Sequence, residues 1–178
     1  MTPSLGEVQA TALKAARGAG LPWGACEDAG AATRWLWARG IDSVSALAAV
    51  LSANDAERCP LRVGAALSDG ASLPWKGELR GVALLAHFLR GRSASIRWQG
   101  GELFVAEQDV ALAGQPPLEL CAVVVSPGAG QGKTLSRAGR RPIDPAAWRL
   151  LKRLEAQTYA PPTEASRAGA GAGLTDND

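Results

Sequence analysis

A chain of 178 residues, 47% of them hydrophobic and 20% charged, can bury a core of its own, which excludes a wholly disordered chain. No apolar run reaches the roughly 20 residues that a spanning helix needs, and a formal net charge of +2 is too small to demand a nucleic-acid partner. Cys26, Cys59 and Cys121 are odd in number and widely spaced, which argues against a disulfide framework and suits a reducing compartment. The opening MTPSLGEVQ has neither a basic region nor an apolar stretch before a small-residue cleavage site. The expected location is therefore the cytoplasm, with no membrane partner.

Ser4-Leu5-Gly6-Glu7 reads as a capping box that starts a first helix. Leu5, Val8, Ala12 and Ala16 recur on one face of it, and Gly18 or Gly20 can end it in the left-handed conformation. A second helix is expected from Trp23 to Arg39, with Ala25, Ala29, Ala32 and Leu36 as one stripe and Gly40 as its stop. Small side chains along both segments predict a helical hairpin whose backbones lie close together. A shorter helix follows over Val44 to Leu51, capped by Asp42 or Ser43.

Residues 53 to 77 are polar and broken by Pro60, Gly64, Gly70, Pro74 and Gly77, so they read as loop with at most a short element. Leu79 to Leu89 is apolar nearly all round, and its length favours a buried helix over a buried strand. A hairpin is then expected from Ser93–Trp98 and Glu102–Ala106 across Gln99-Gly100-Gly101. Asp109–Ala113 and Leu118–Val125 add strands, the latter through its continuous valines. Asp144-Pro145 opens a last helix, with Ile143 placed to staple onto Trp148, and Tyr159 marks its end before Pro161-Pro162. Residues 161–178 are rich in Gly and Ala and carry little that could form a core.

KAARGAGLPWG, EDAG and RWLWARG near the start, with TYAPPTEASR and AGAGAGLTDND at the end, resemble an uncharacterised bacterial family, domain of unknown function 3726. The resemblance implies a bacterial, single-domain, cytoplasmic protein whose terminal segment belongs to the family pattern. It places no catalytic residue on these positions.

Several motifs invite a chemical reading. VVVSPGAGQGKT, residues 123 to 134, runs from strand into a glycine-rich turn ending Gly132-Lys133-Thr134, as a phosphate loop does. Pro127, which lacks an amide, stands where the first glycine belongs, so a flexible connector or a simple nest of amides is the better reading. His87 is the only histidine and the cysteines lack paired spacing, so no metal is expected and His87 reads as a buried ring bonded to backbone. Cys26 reads as packing, since Glu27 and Asp28 beside it oppose a thiolate. Lys133, Arg137, Arg140, Arg141, Arg149, Lys152 and Arg153 meet a single acid, Asp144, within one stretch. No aromatic residues interleave with the charges before the helix, which disfavours single-stranded nucleic acid.

These observations predict an α+β domain over residues 1–160: a helical hairpin layer, a small mostly antiparallel sheet over about 93–125, and a closing helix at 145–157, with a tail at 161–178. The leading functional expectation is a non-catalytic accessory or binding protein, meeting a protein partner through the tail or a tryptophan-lined surface. The alternative is an enzyme acting on a small anionic metabolite, with Arg34, Arg140, Arg141 or Arg167 for the anion and Cys26 or Glu27 for proton chemistry. Tyr159, Ser166 and Arg167 complete the candidate ligand-binding set, and no cofactor is expected.

Overall fold

The computed structural model describes residues 1–107 and 109–159. Helix α1 (Leu5–Gly18) begins at the expected capping box: Ser4 Oγ accepts from the Glu7 amide at 3.2 Å and Glu7 accepts from the Ser4 amide at 2.6 Å. Helix α2 (Trp23–Trp37) follows through Gly20, at φ +85°, and ends two residues earlier than predicted. The hairpin is close, as the small residues imply. A Cβ on Gly30 would lie 3.1 Å from both the Gln9 carbonyl oxygen and Leu13 Cβ, so the α1 and α2 backbones meet there. Helix α3 (Ser43–Ala53) is capped by Asp42, which accepts from the Ser45 amide at 3.2 Å.

Residues 53–77 depart from the loop expectation. They contain helix α4 (Pro60–Ser68) and the start of strand β1 (Trp75–Leu79). Pro60 sits at the first helical position, where its missing amide costs nothing, and Gly64 is a packing residue rather than a breaker. A Cβ at Gly64 would stand 2.2 Å from the Phe88 ring. Phe88 belongs to a 3₁₀ helix, Val82–Leu89, all eight residues of which are buried. Leu84, Leu85 and Leu89 are among its fully buried side chains, each worth roughly 1.5–3 kcal/mol of apolar burial. The tight turn at its start needs Gly81, at φ +59°, because a Cβ there would stand 2.7 Å from the Ala46 carbonyl oxygen.

Strands β2 (Ala94–Trp98), β3 (Gly101–Ala106), β4 (Asp109–Ala113), β5 (Cys121–Pro127) and β6 (Lys133–Thr134) join β1 in one sheet of order β1-β5-β2-β3-β4-β6. Every pairing is antiparallel. The sheet is thus wider than residues 93–125, and residues 118–120 lie outside β5. Ile96, Leu103, Val105, Val110, Val123 and Val125 alternate inward and are buried, which places the core between one sheet face and the helices.

The glycine-rich segment after β5 has to reach the opposite edge of the sheet, and it does so by crossing the outer face. A Cβ on Gly130 would lie 2.5 Å from Phe104 Cβ, and the Gln131 amide donates to Glu102 at 3.2 Å. Gly132, at φ +130°, lies against the Leu112 backbone. Close backbone approach accounts for these glycines, and the segment enters β6 rather than a helix. It is neither a phosphate loop nor a loose connector.

Helix α5 (Pro145–Ala156) is capped by Asp144, which accepts from the Ala146 and Ala147 amides at 3.3 and 2.9 Å. It packs on α1 so closely that a Cβ on Gly18 would fall 1.8 Å from the Leu154 carbonyl oxygen. The architecture is α+β: N-terminal helices, a six-stranded antiparallel sheet and a C-terminal helix. Among the described residues no helix is long and apolar enough to cross a membrane.

Candidate functional site

Three of the five α-helices carry a side-chain cap at their start: α1 by Ser4, α3 by Asp42 and α5 by Asp144. The other two do not. The N-cap of α2 is Pro22 and that of α4 is Cys59, and neither side chain accepts a hydrogen bond from the first turn. Proline has no acceptor to offer, and a thiol is a weak one. Amides of both first turns therefore lack the partners that the other helices have, at the ends where the helix dipoles are positive.

These two starts open on one cavity of about 290 Å³. Its walls include the N-cap and third residue of each helix: Pro22 and Ala25 from α2, Cys59 and Arg62 from α4. Leu21, Val50 and Leu51 make the rest largely apolar, and Asn54 and Asp55 stand at the rim. The Asp55 carboxylate is taken up by its own turn, accepting from the Glu57 amide at 3.1 Å and from Arg58 Nη1 at 3.0 Å. The Arg58 side chain holds that carboxyl below its ordinary value. Arg62 makes no hydrogen bond or ion pair among the described residues. The cavity thus presents an apolar interior, two uncapped helix starts and one uncommitted cation.

Nucleophilic chemistry has less support here. Cys26 is buried, donates its S–H to the Leu21 carbonyl at 3.3 Å, and burial raises its thiol above the ordinary value against the opposing pull of Arg17. Glu27 is exposed. Among the described residues, no three His, Cys, Asp or Glu side chains group as metal ligands would.

The residues predicted for an anion are not gathered in one cleft. Arg34 is exposed on α2 and donates to Gln9 Oε1 at 2.9 Å. Arg140 is exposed on the segment before α5. Arg141 is a structural clamp: it donates to the carbonyls of Gly40 at 2.7 Å and Ile41 at 2.5 Å, with its guanidinium 3.7 Å over Trp37. Tyr159 donates to Glu155 Oε1 at 2.8 Å and accepts from Lys14 at 3.0 Å. Burial alone would raise the Glu155 carboxyl, but the hydrogen bonds from Lys152 and Tyr159 outweigh it and leave it below its ordinary value. Ser166, Arg167 and the tail at 161–178 lie outside the described residues.

The tryptophans form no common surface either. Trp37, Trp98 and Trp148 are buried, Trp35 and Trp75 are partly covered, and Trp23 is the exposed one at 56%. It stands beside Pro22 and lies under Arg17, whose guanidinium is 5.3 Å from the ring. Sequence reasoning missed Arg62, Cys59 and Asn54 because it left their segment as loop. A readable signal existed: proline directly after Cys59 marks a helix start, and neither Cys59 nor Pro22 is a capping residue.

Neither a curated protein nor a solved structure matches the chain. The C-terminal part of the resemblance drawn from the sequence lies outside what the family comparison covers. Residues 3–72, which contain every residue lining the cavity, match the model of the family described as protein of unknown function (DUF3726), the family that the sequence resembles.

Proposed function

We propose that this chain is a non-catalytic binding protein of the bacterial cytoplasm, and that its ligand is a small anion with an apolar body. The observation that carries this reading is the convergence of two uncapped helix starts and an uncommitted arginine on one apolar cavity. The carboxylate or similar head of the ligand would take first-turn amides and Arg62, and its apolar part would fill the space between Leu21, Val50 and Leu51. Three free thiols support the reducing compartment, and the buried, hydrogen-bonded Cys26 supports binding over catalysis. We place the accessory role at the same end of the molecule, where Trp23 offers an exposed face.

Titration calorimetry with octanoate tests the reading. Octanoate should bind saturably, while acetate, without the apolar body, and octanol, without the charge, should bind at least tenfold more weakly. Arg62→Gln should weaken octanoate about tenfold, roughly 1.4 kcal/mol, and Ala25→Leu, which fills the cavity from α2, should remove binding. Absence of saturable octanoate binding, or unchanged binding by Ala25→Leu, overturns the proposal.

A further inference from the structure

The sheet ends on two unlike edges. At one of them β6 is only two residues long, and brevity is one of the ways in which proteins protect an edge. At the other, β1 runs over five residues, Trp75–Leu79, and pairs with β5 alone. Among the described residues, no backbone group of 75–79 bonds to any segment but β5.

Which groups of β1 face outward follows from the ladder beside it. Antiparallel strands exchange both backbone bonds at alternate facing pairs. The Gly128 amide donates to the Ser93 carbonyl at 2.9 Å, one step beyond the pair of Ala94 with Pro127, whose nitrogen carries no hydrogen. Val124 and Ser126 therefore turn their backbone groups to β2, and Val123 and Val125 turn theirs to β1. The bonded pairs of β1 are then Trp75 with Val125, Gly77 with Val123 and Leu79 with Cys121, which leaves the N–H and C=O groups of Lys76 and Glu78 on the free edge. Arg80, next in the same alternation, agrees: its amide donates to the Arg58 carbonyl at 3.3 Å.

The residues of this edge are complementary to themselves. Laid antiparallel to its own copy with Gly77 opposite Gly77, Trp75-Lys76-Gly77-Glu78-Leu79 sets each Lys76 across from the Glu78 of the other strand. Both side chains are exposed on the outer face of the sheet, since Leu79 is buried on the inner one. Opposite charges directly across a strand pair stabilise it, and like charges oppose it. A slip to the next bonded register in either direction would set Lys76 on Lys76 or Glu78 on Glu78, so the charges select one register. Glu78 Oε2 also lies 3.5 Å from Arg58 Nε of its own chain, a contact between exposed groups that leaves Oε1 to a second cation.

Gly77 suits the centre of such a pairing. A Cβ there would fall 2.6 Å from the Trp75 ring, so the indole lies over the glycine on the inner face. Facing residues that exchange no backbone bonds approach to about 4.5 Å between Cα atoms, a spacing that two glycines accept without crowding. The same pairing sets the two partly covered Trp75 rings beside one another.

We propose that β1 pairs antiparallel with the β1 of a second copy of this chain, about a two-fold axis at Gly77, to give a homodimer with one continuous sheet. Lys76 and Glu78 supply both the backbone bonds and the cross-strand charge pairs of this isologous interface. A strand pair of this length falls below the standard interface size, so the dimer dissociates in the micromolar range.

Sedimentation velocity of the full chain over a dilution series reads the equilibrium. The wild type should pass reversibly from dimer to monomer. Lys76→Pro removes an edge N–H without touching the β5 ladder, and it should leave a monomer whose melting temperature and octanoate binding stay close to those of the wild type. Lys76→Glu should weaken the dimer about tenfold, and adding Glu78→Lys to it should restore the affinity to within about threefold of wild type. A chain that stays monomeric at every concentration, a folded Lys76→Pro that still dimerises, or a double variant no tighter than Lys76→Glu overturns the inference. None of these outcomes bears on the octanoate cavity, whose lining includes no residue of β1.

Discussion

The two ends of α2 are finished in opposite ways. At its C-terminal end the protein supplies the partners: Arg39 donates to Trp35, and Arg141 donates to Gly40 and Ile41 while stacking on Trp37. At its N-terminal end the first turn follows Pro22, which caps nothing. An open helix start at a surface is ordinarily completed by water. Here it borders an apolar cavity shared with the equally uncapped start of α4. Since Ser4, Asp42 and Asp144 cap the other three α-helices, the α-helix starts without a side-chain cap are the two at the cavity. That coincidence teaches more than either uncapped end would alone.

The largest expected effect breaks the well-completed end. Arg141→Ala removes two charge-assisted hydrogen bonds and a close cation–π contact, and it leaves the Gly40 and Ile41 carbonyls to find other partners. A loss of about 2–4 kcal/mol is expected, or roughly 5–15 °C in melting temperature. Octanoate binding at the far end should survive in the folded fraction. A drop below 0.5 kcal/mol, about the size of an ordinary surface substitution, would show that the clamp is dispensable.

His87, packed edge-on to Trp35 at the same end, sets the next effect. Burial, and then the charge of Arg90, lowers its pKa from 6.5 to about 4. The unfolded chain therefore takes up this proton first as pH falls, so stability is full above pH 6.5 and declines as pH drops toward 4. The decline attributable to His87 is about 3 kcal/mol. Denaturant titrations of wild type and His87→Gln at pH 7.5 and 4.5 isolate it from the carboxylates, because the variant should lack this part of the slope. Parallel slopes would contradict the burial of a neutral ring.

The contrast between the ends was only half legible in the sequence. Local signals named the elements that carry their own punctuation: the capping box at Ser4, Asp144-Pro145, and the turn Gln99-Gly100. Helix α4 was hidden because Gly64 looks like a breaker until Phe88, distant in the chain, is seen lying over it. With α4 unread, Cys59 could not be set beside Pro22 as a second uncapped helix start, so the shared cavity could not be inferred. Charge alone pointed to Arg34, Arg140 and Arg141, yet charge does not reveal which guanidinium is already spent on backbone. Arg39 and Arg90 come from separate segments, and nothing short of the fold places both on the Trp35 ring.

The smallest effect is the sharpest test of the uncapped end, because it predicts opposite signs for two measurements. Pro22→Asp gives α2 an N-cap carboxylate, at a position whose backbone, φ −64° and ψ 155°, already suits a cap. Cys59→Ser does the same for α4 with a hydroxyl. Each should add about 1 kcal/mol to the stability of the unliganded protein, by satisfying amides that now lack a side-chain partner. Each should also weaken octanoate, since the new oxygen occupies the position that the ligand's carboxylate would take. Ser4→Ala serves as the control: it costs about 1 kcal/mol at α1 and leaves octanoate binding alone. If the new caps stabilise the fold while octanoate binds as before, the ligand's charge rests on Arg62 without the helix starts, and the coincidence of missing caps with the cavity loses its functional meaning.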